Sequence, residues 1–583
     1  MKTLFFSSYP SRWSFIFTEA RIASALQKRG HDVLFITPGA EFEGRADALN
    51  ERIIRKGFNL KGYGIGRMLA DRDREEIASL MTALNKDSFE NLVIDGIAIG
   101  KTALYEFLIG HKKMTANLTE SEWAECLPDI KNALISFFAC RAILDKEKPD
   151  SILMYNTLYS VNHVWKKYAE RKNIPVYFLH HAANISDNEN TLIIAKNDSF
   201  YYAQELKRIW SKVREATVPQ EMFQYVTDHF LELLKATHYR VYSAPKSRSP
   251  IHVRKFFNIK DDQKILTATM ASYDEIFAVG YVGALSVPKD LIFASQIDWI
   301  EALIDYVKKR RELFLIIRVH PREFPNKREP VKSEHAVALE YHLKNLPENI
   351  KVNWPNDSLS LYDLAQETNV FLNSWSSVGV EMSQLGIPVV TYLREFNFYP
   401  YDLNYSATSR KDYFDKIELA LKEGWNFGSI KYAYRWLALN YCRPITRLRD
   451  KSLQNSKYIN SAETVASSFA RITLRRCYHL LPAKLRFLFN RIRQKRKLAK
   501  DCLTERGRYI DISSLEKMLQ AGSDTSININ GALSSGVTNA EEEGYIKAEI
   551  RRLYDGLYGK DPKNTKVDIN TLQYNLKHAY ERP

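Results

Sequence analysis

Two strand-then-turn segments between Ile316 and Thr391 restrict the fold of this 583-residue chain more than any other part of its sequence. The first is an apolar run that ends in Arg318-Val319-His320-Pro321-Arg322. The second ends in Asn373-Ser374-Trp375-Ser376-Ser377-Val378-Gly379-Val380-Glu381, where the polar turn opens a helix. Ligands of open α/β sheets bind beyond the carboxyl ends of the strands. The two turns therefore predict one ligand site at one edge of a sheet.

Strands and helices alternate on both sides of this segment. The first series has a strand at 3–7, a helix at 15–29 and further strands at 31–37, 92–94, 151–155 and 175–179. A second series of strands lies at 264–269, 313–319, 350–352, 370–372 and 388–392. Such alternation is typical of a parallel sheet covered by helices on both faces. We therefore expect an α/β chain with two Rossmann-like doubly wound halves and a cleft between them.

The chain is too long for a single hydrophobic core, so several domains are expected. A breaker-rich segment near 243–250 separates the two βα series, and residues 521–544 are rich in Ser, Gly, Asn and Thr. The predicted units are residues 1–245, residues 246–450, a basic helical extension at 451–520, and a flexible linker with a tail at 521–583.

Positive charge is concentrated in one segment. The net charge is +15, and residues 471–500 hold eleven Lys or Arg and no Asp or Glu, which leaves +4 for the rest. Leucine and phenylalanine side chains interleave with these bases. This pattern favours binding to an anionic membrane surface through residues 471–500 over nucleic-acid binding. A solvated helix packed on the rest of the protein and an RNA-binding tail are the alternatives.

Several classes of protein are disfavoured by what the sequence lacks. There is no apolar run of about 18 residues and no secretion signal, so a cytoplasmic protein, peripheral on the inner face of the plasma membrane, is expected. The five cysteines are scattered without CxxC spacing, which predicts neither a disulfide framework nor a zinc site. The first βαβ unit lacks GxGxxG, so a dinucleotide is not expected there. We expect no cofactor and no required metal.

The first turn carries groups suited to phosphate. Pro321 fixes φ and has no N–H, so it keeps the chain extended and presents His320 and the neighbouring arginines to the cleft. An imidazole donates to phosphate or ribose, and Arg318 or Arg322 can pair with a phosphate in a fork. The alternative is an ordinary polar strand end.

The second turn adds hydroxyl groups and a carboxylate. The hydroxyls of Ser376 and Ser377, with the N–H groups of the first helical turn, can bind a monophosphate or diphosphate. Gly379 permits close approach of a ligand or a packed strand. Glu381, one turn into the helix, can accept hydroxyls of ribose or sugar. The alternative is a capping box. Arg318, His320, Arg322, Ser376, Ser377 and Glu381 are the predicted nucleotide-binding residues.

Six short motifs occur in an order and rough spacing that resemble a known family. They are Asp95-Gly96-Ile97-Ala98-Ile99-Gly100, Ser272-Tyr273-Asp274-Glu275, Ser295-Gln296-Ile297-Asp298-Trp299, Arg318-Val319-His320-Pro321-Arg322, Ser358-Leu359-Ser360-Leu361-Tyr362-Asp363-Leu364 and Ser376-Ser377-Val378-Gly379-Val380-Glu381. The chain resembles the bacterial capsule and surface polysaccharide biosynthesis glycosyltransferases, the broad group that includes capsule Kdo transferases. Polysialyltransferases and CDP-glycerol-type polymerases share the His-Pro and Ser-Ser elements more loosely.

The resemblance implies a GT-B fold and an activity. Residues 1–245 would form the acceptor and catalytic domain, and residues 246–450 the nucleotide-sugar domain. A sugar would pass from a nucleotide-activated donor, CMP- or CDP-linked as the first expectation, to a growing surface or capsular polysaccharide or a lipid-linked acceptor. A nucleotide-sugar epimerase, a CDP-glycerol-type phosphotransferase and a non-enzymatic membrane-bound scaffold are the alternatives.

The remaining site residues lie in the first half and near its border with the second. Asp95 follows a Val-Ile strand end, which suits deprotonation of an acceptor or covalent attack on the anomeric carbon, the role that the resemblance implies; an Asx turn is the alternative. Glu19 is the second candidate base. The family often has Asn-Gly-Arg and His-Glu-Arg-Gly where this chain has Asn156 and His180-His181. These residues are expected to contact substrate, and Glu275 to border the nucleotide.

Overall fold

The computed structural model describes residues 1–247, 251–286, 288, 290–393, 396–442, 445–448, 483–522, 536–559 and 571–581. For residue 445 and residues 483–494 it describes the backbone only. The predicted membrane segment at 471–500 therefore lies partly outside the described residues. Within these ranges, no helix combines the length and apolarity that a membrane span needs.

The strands of the described residues fall into two main sheets and one hairpin. They are β1 Lys2–Phe6, β2 Asp32–Thr37, β3 Gly62–Gly64, β4 Val93–Ile94, β5 Ile97–Ala98, β6 Ser151–Tyr155, β7 Val176–His181, β8 Thr191–Lys196, β9 Lys264–Thr269, β10 Leu313–Arg318, β11 Ile350–Asn353, β12 Val370–Asn373, β13 Val389–Thr391, β14 Tyr405–Ser406 and β15 Ile445–Arg447.

Helices connect most of the strands and form the C-terminal part. They are α1 Trp13–Lys28, α2 Ala48–Phe58, α3 Asp71–Ala83, α4 Ile99–Ala103, α5 Tyr105–Gly110, α6 Glu120–Glu147, α7 Ser160–Arg171, α8 Ser199–Val213, α9 Gln220–Lys235, α10 Val253–Phe257, α11 Tyr273–Tyr281, α12 Gln296–Val307, α13 Glu334–His342, α14 Leu361–Leu364, α15 Val378–Gln384, α16 Arg410–Glu423, α17 Phe427–Cys442, α18 Ala483–Gly507, α19 Ser513–Ala521, α20 Asn539–Tyr558 and α21 Leu572–Glu581.

The first half is built on a seven-stranded sheet of order β15-β8-β7-β6-β1-β2-β3. The central strands pair in parallel, as their near-continuous apolar runs predict. Leu4, Phe5 and Phe6 of β1 are fully buried because helices cover both faces. Two strands that the sequence did not predict, β8 and β15, pair antiparallel at one edge. Strand β15 therefore joins the sheet of the first half from the far end of the second.

The second half has a six-stranded sheet of order β11-β10-β9-β12-β13-β14 in which every pairing is parallel. Its five longest strands match the predicted series. From β9 the chain proceeds to β10 and β11 on one side and then returns to β12 on the other. The strand order thus reverses beside β9, and a ligand site is expected at the carboxyl ends of its neighbours. Two α/β halves with parallel sheets confirm the predicted GT-B-like fold class.

One local prediction needs correction. Residues 92–94 are not a strand of the parallel sheet, because β4 pairs antiparallel with β5 in a separate hairpin. The sequence also predicts a short helix near residues 540–557, and the structure has α20 there. Helix α20 packs against α9 and α17, and α21 packs against α20. Arg435 of α17 and Glu542 of α20 form a buried ion pair at 2.6 Å. This pair and the apolar face of α20 hold the helix against the rest of the protein.

The two halves make direct contact beside the cleft. Ala278, Val279 and Val282 of the α11 region pack into the hydrophobic core of the first half. On the other side, helices α8 and α9 of the first half share a core with α15 and α17. These two contacts fix the position of the first sheet's carboxyl edge relative to that of the second sheet.

Removing the buried imidazole of His163 is expected to reduce acid destabilisation. Burial in α7 lowers its pKa from 6.5 to about 3. The unfolded chain therefore binds a proton that the folded state excludes, and the stability present above pH 6.5 is lost as the pH falls. For His163→Leu, the loss in the free energy of unfolding between pH 7 and pH 5 should shrink by about 2 kcal/mol. Urea unfolding followed by tryptophan fluorescence measures this.

The exposed His252 supplies the control, since its side chain is 74% exposed. His252→Leu should leave the pH dependence unchanged. An equal loss of stability in the wild type and in His163→Leu would contradict the assignment.

Candidate functional site

A pocket of about 410 Å³ lies at the carboxyl ends of β9, β10 and β12. Its floor is made by residues that follow these strands, and its opposite wall comes from α9, α17 and the linker after α9. The lining includes Arg240, Tyr242, Ser243, Thr269, Arg318, His320, Tyr362, Trp375, Ser376, Ser377, Glu381, Gln384, Phe398, Tyr399, Trp436 and Tyr441. All of the six predicted nucleotide-binding residues except Arg322 are brought together here.

Arg318 ends β10 and is 7% exposed. Its guanidinium donates to the Asn353 side-chain oxygen and, at 3.0 Å, to the Leu359 carbonyl oxygen. Among the described residues, no carboxylate lies within 4.0 Å of it. Burial lowers its pKa to about 10. Asp363 and Asp357 act on its charge from a distance and do not pair with it directly. A buried cation without a direct ion pair is costly unless a ligand supplies a negative partner.

Arg240 is a second cation at the pocket, and the sequence prediction missed it. Its guanidinium donates to the Ala182 carbonyl oxygen at 3.1 Å and to the Tyr239 hydroxyl at 3.2 Å. In the part of the chain that the structure describes, it too has no ion pair with a carboxylate. The only signal in the sequence was an arginine between two tyrosines in the segment that joins the halves. Arg240 reaches the pocket only because of the way in which the two halves pack together.

His320 lines the pocket, and one of its ring nitrogens is held by the backbone. Its Nδ1 accepts the Arg322 backbone N–H at 3.2 Å, so the proton of the neutral ring is assigned to Nε2. Burial lowers the pKa of His320 to about 4. The ring is therefore neutral at physiological pH, and Nε2–H is a hydrogen-bond donor suited to a phosphate or ribose oxygen.

Glu381 is held by hydroxyl groups of the protein. Ser377 donates to one carboxylate oxygen at 2.7 Å and Tyr362 donates to the other at 2.9 Å. Burial raises the pKa of Glu381. Gly379 allows the close approach of the Tyr399 side chain, where an added Cβ would clash. The helix that follows has only seven residues, so the side chains of this turn matter more than the helix terminus.

Arg322 lies elsewhere than the sequence suggested. Its guanidinium is buried and donates to Asp274 at 2.6 Å, to Ser272 at 3.0 Å and to the Ile109 carbonyl oxygen of the first half at 2.9 Å. Glu275 lies 3.8 Å from its Nε and is largely exposed. The structure therefore places Arg322 and Glu275 in an ionic cluster between the halves, and neither lines the pocket.

The two candidate catalytic carboxylates are not brought to the pocket lining. Asp95 occupies the exposed turn of the β4–β5 hairpin with φ 49°, and its carbonyl oxygen accepts from Arg171. Glu19 is buried in α1, where Ser7 and the Tyr155 N–H donate to its carboxyl group. Burial raises the pKa of Glu19 to about 8. Glu19 thus lies at the carboxyl ends of β1 and β6, and Asp95 does not.

The three other candidate residues lie near Glu19 at the same edge of the first sheet. Asn156 has φ 54° and accepts from the Leu158 N–H. His180 and His181 end β7, and the Tyr155 ring lies 5.3 Å and 5.7 Å from theirs. Burial lowers the pKa of each imidazole to about 4, and the charge of the nearby Arg240 acts in the same direction. Arg240 therefore links this edge to the pocket.

The pocket combines charge with aromatic surface. Trp375, Tyr242 and Phe398 offer partly exposed rings, and Phe398 is 47% exposed. Rings of this kind stack on the faces of bases. Two arginines, a donor imidazole and two serine hydroxyls beside such rings form an environment for an anionic ligand that also carries a flat ring system. A phosphorylated nucleoside has both features.

Comparison with known proteins gives no match to a family model and none to a curated protein. Among solved structures, Thermosulfurimonas dismutans KpsC, a β-Kdo 2,4 transferase, is 13% identical over 52% of this chain and 82% of that one, with a TM-score of 0.32. The UDP-GlcNAc 2-epimerase of Methanocaldococcus jannaschii is 15% identical over 75% of this chain and 98% of that one, with a TM-score of 0.27. S. aureus MnaA bound to UDP is 10% identical over 76% and 92%, with a TM-score of 0.25. The likeness is remote, and the fold assignment stands on the chain's own sheet topology.

Removing the Glu381 carboxylate should destabilise the fold by leaving a buried hydroxyl without an acceptor. Tyr362 is 2% exposed, so Glu381→Leu should cost about 1–3 kcal/mol in the free energy of unfolding. The double variant Glu381→Leu/Tyr362→Phe should recover part of this loss, because the orphaned hydroxyl is gone. A double-mutant cycle from urea unfolding measures the coupling. Strictly additive effects would show that the two side chains do not interact.

Proposed function

We propose that this protein is a glycosyltransferase that uses a nucleotide-activated sugar. The proposal rests on one observation: two arginines without carboxylate partners among the described residues, Arg240 and Arg318, line a pocket at the carboxyl edge of a doubly wound sheet. A nucleotide phosphate supplies the negatively charged partner that both guanidinium groups lack. The aromatic rings beside them hold the base.

Each group has a role in transfer. Arg318 and Arg240 pair with phosphate oxygens, His320 donates through Nε2–H, and Ser376 donates through its hydroxyl. As the bond to the anomeric carbon breaks, negative charge grows on the leaving phosphate, and these preorganised donors stabilise it. This role requires no metal. Glu381 keeps the Ser377 hydroxyl oriented, and Arg322 orders the loop behind His320.

The donor and acceptor follow from the resemblance in the sequence motifs. The His-Pro and Ser-Ser pair is shared with families whose donors are CMP- or CDP-linked, so a cytidine nucleotide is the first choice. The acceptor is a surface or capsular glycan, free or lipid-linked. The basic segment at 471–500 would hold the enzyme at an anionic membrane surface, where a lipid-linked acceptor is present.

The base that activates the acceptor is assigned to the first half. Glu19 lies at the carboxyl ends of β1 and β6, which is the edge of the sheet where substrates bind. Its pKa of about 8 is raised by burial, which suits a group that takes up a proton near neutral pH. Asp95 is the second candidate and would require the hairpin to move toward the pocket.

Replacing either pocket arginine should weaken nucleotide binding. Loss of a hydrogen bond to a charged group corresponds to a roughly 10- to 100-fold rise in Kd. We expect Arg318→Gln and Arg240→Gln each to raise the Kd of the preferred nucleotide by that factor. A thermal-shift panel of CMP, CDP, UDP, GDP and ADP identifies that nucleotide, and calorimetric titration measures the Kd.

Arg310→Gln is the matched control. Arg310 precedes β10 at its amino end and pairs with Glu312 at 2.7 Å, so it belongs to the same half without facing the pocket. Its replacement should leave the Kd unchanged. Absence of stabilisation by all five nucleotides would overturn the proposed function. A product formed from the donor without an acceptor would favour an epimerase.

The two candidate bases can be separated with isosteric variants. Glu19→Gln should abolish sugar transfer while the Kd for nucleotide stays within about twofold, because the carboxylate acts on the acceptor and not on the donor phosphate. Asp95→Asn should keep transfer. Transfer is followed as release of free nucleotide in the presence of acceptor. Full turnover by Glu19→Gln together with loss of turnover in Asp95→Asn would reverse the assignment.

A further inference from the structure

Two loops from opposite halves interlock behind the pocket. The first loop, residues 111–114, follows α5 in the first half. The second loop, residues 321–333, follows β10 and begins directly after His320. Lys112 of the first loop is 0% exposed and has φ 51°. Its side chain is therefore fully buried.

The ammonium group of Lys112 donates hydrogen bonds to three backbone carbonyl oxygens of the second loop. It donates to the carbonyl oxygens of Arg322, of Val331 at 2.6 Å and of Phe324 at 3.3 Å. An ammonium group has three N–H donors, so these three carbonyls account for all of them. The nearest carboxylate, Glu329, is 3.5 Å away. Burial lowers the pKa of Lys112, so the loop geometry is maintained at an electrostatic cost.

The second loop connects this lysine to the pocket through Arg322. The Arg322 backbone N–H donates to His320 Nδ1 at 3.2 Å, and the Arg322 carbonyl accepts from Lys112. The two peptide groups of one residue thus join the lysine of the first half to the imidazole of the second. The Arg322 guanidinium returns to the Ile109 carbonyl of the first half at 2.9 Å. His320 is oriented by a residue whose position is set from the opposite half.

We propose that Lys112 is a positioning residue for His320, holding the 321–333 loop so that the His320 Nε2–H faces the nucleotide phosphate. This proposal rests on the proposed function, because it requires a nucleotide in the pocket. Lys112 contacts no ligand itself. Its effect passes through the Arg322 backbone to the imidazole.

The neighbouring Lys113 offers a matched control. Its side chain pairs with Glu122 of its own half at 2.9 Å and with Glu334 of the other half at 2.5 Å. Lys113 therefore also joins the two halves, but it donates to none of the three carbonyl oxygens that hold the second loop. Its replacement removes an attachment between the halves and leaves the orientation of His320 intact.

The test is a double-mutant cycle on the full-length protein with CMP and CDP as probes. His320→Ala should raise the Kd of the nucleotide that binds by roughly three- to tenfold. Lys112→Met should raise it by a similar factor, and Lys113→Met should leave it within about twofold of the wild type. In the His320→Ala background, Lys112→Met should produce no further rise. A general loss of structure would instead weaken binding in both backgrounds.

Each outcome is decisive. Additive effects of Lys112→Met and His320→Ala, or an unchanged Kd in Lys112→Met, overturn the positioning role while the proposed function stands. Failure of the wild type to bind either probe overturns the proposed cytidine site and the inference with it. If Lys112→Met does not fold, Glu329→Gln replaces it, because Glu329 lies 3.5 Å from Lys112 Nζ and 3.4 Å from Arg322 Nε. That variant should raise the Kd only when His320 is present, and an equal effect in both backgrounds overturns the inference.

Discussion

The buried guanidinium of Arg318, which forms no direct ion pair with a described carboxylate, is the feature on which the rest of this site depends. A charge buried at the end of a strand is tolerated only where neighbouring groups solvate it. The Asn353 side chain and the Leu359 carbonyl do this in part, but neither carries a full negative charge. The fold therefore maintains an electrostatic demand, which the proposed nucleotide phosphate would satisfy. The other donors reach the same place from other parts of the chain. His320 does so because residues of the first half hold the loop that follows it. Arg240 does so because the segment after α9 crosses between the halves.

The sequence predicted the second half better than the first, for a physical reason. Strands β9, β10, β12 and β13 are buried on both faces, so their apolar runs are nearly continuous and their polar carboxyl ends stand out. The turn carrying His320 and the turn carrying Ser377 could therefore be assigned to one site from the sequence alone. Arg240 could not, because its neighbourhood arises from packing between halves and leaves no periodic signal. The same holds for β15, which pairs with β8 across more than 240 residues.

The first half also shows how a local motif can mislead. Val93 and Ile94 look like a strand end before Asp95, but a two-residue strand followed by Asp-Gly is equally a hairpin. The hairpin forms because the next two residues that pair, in β5, supply an antiparallel partner immediately afterwards. Glu19 shows the opposite case. A carboxylate on the apolar face of a helix is buried only where hydrogen bonds compensate its desolvation, as those from Ser7 and Tyr155 do here. Burial next to the carboxyl ends of central strands is what distinguishes a candidate base from a surface acid, and of these two carboxylates Glu19 alone meets that condition.

The C-terminal helices support one wall of the pocket. Helices α9 and α17 form that wall, α20 packs on both of them, and α21 packs on α20. The buried Arg435–Glu542 pair fixes this packing, and Glu542 also accepts the Val218 N–H just before α9. Removing one partner of such a pair leaves an uncompensated charge inside the protein. The C-terminal helices contribute no residue to the described lining of the pocket, but they support the helices that form the wall facing Arg318.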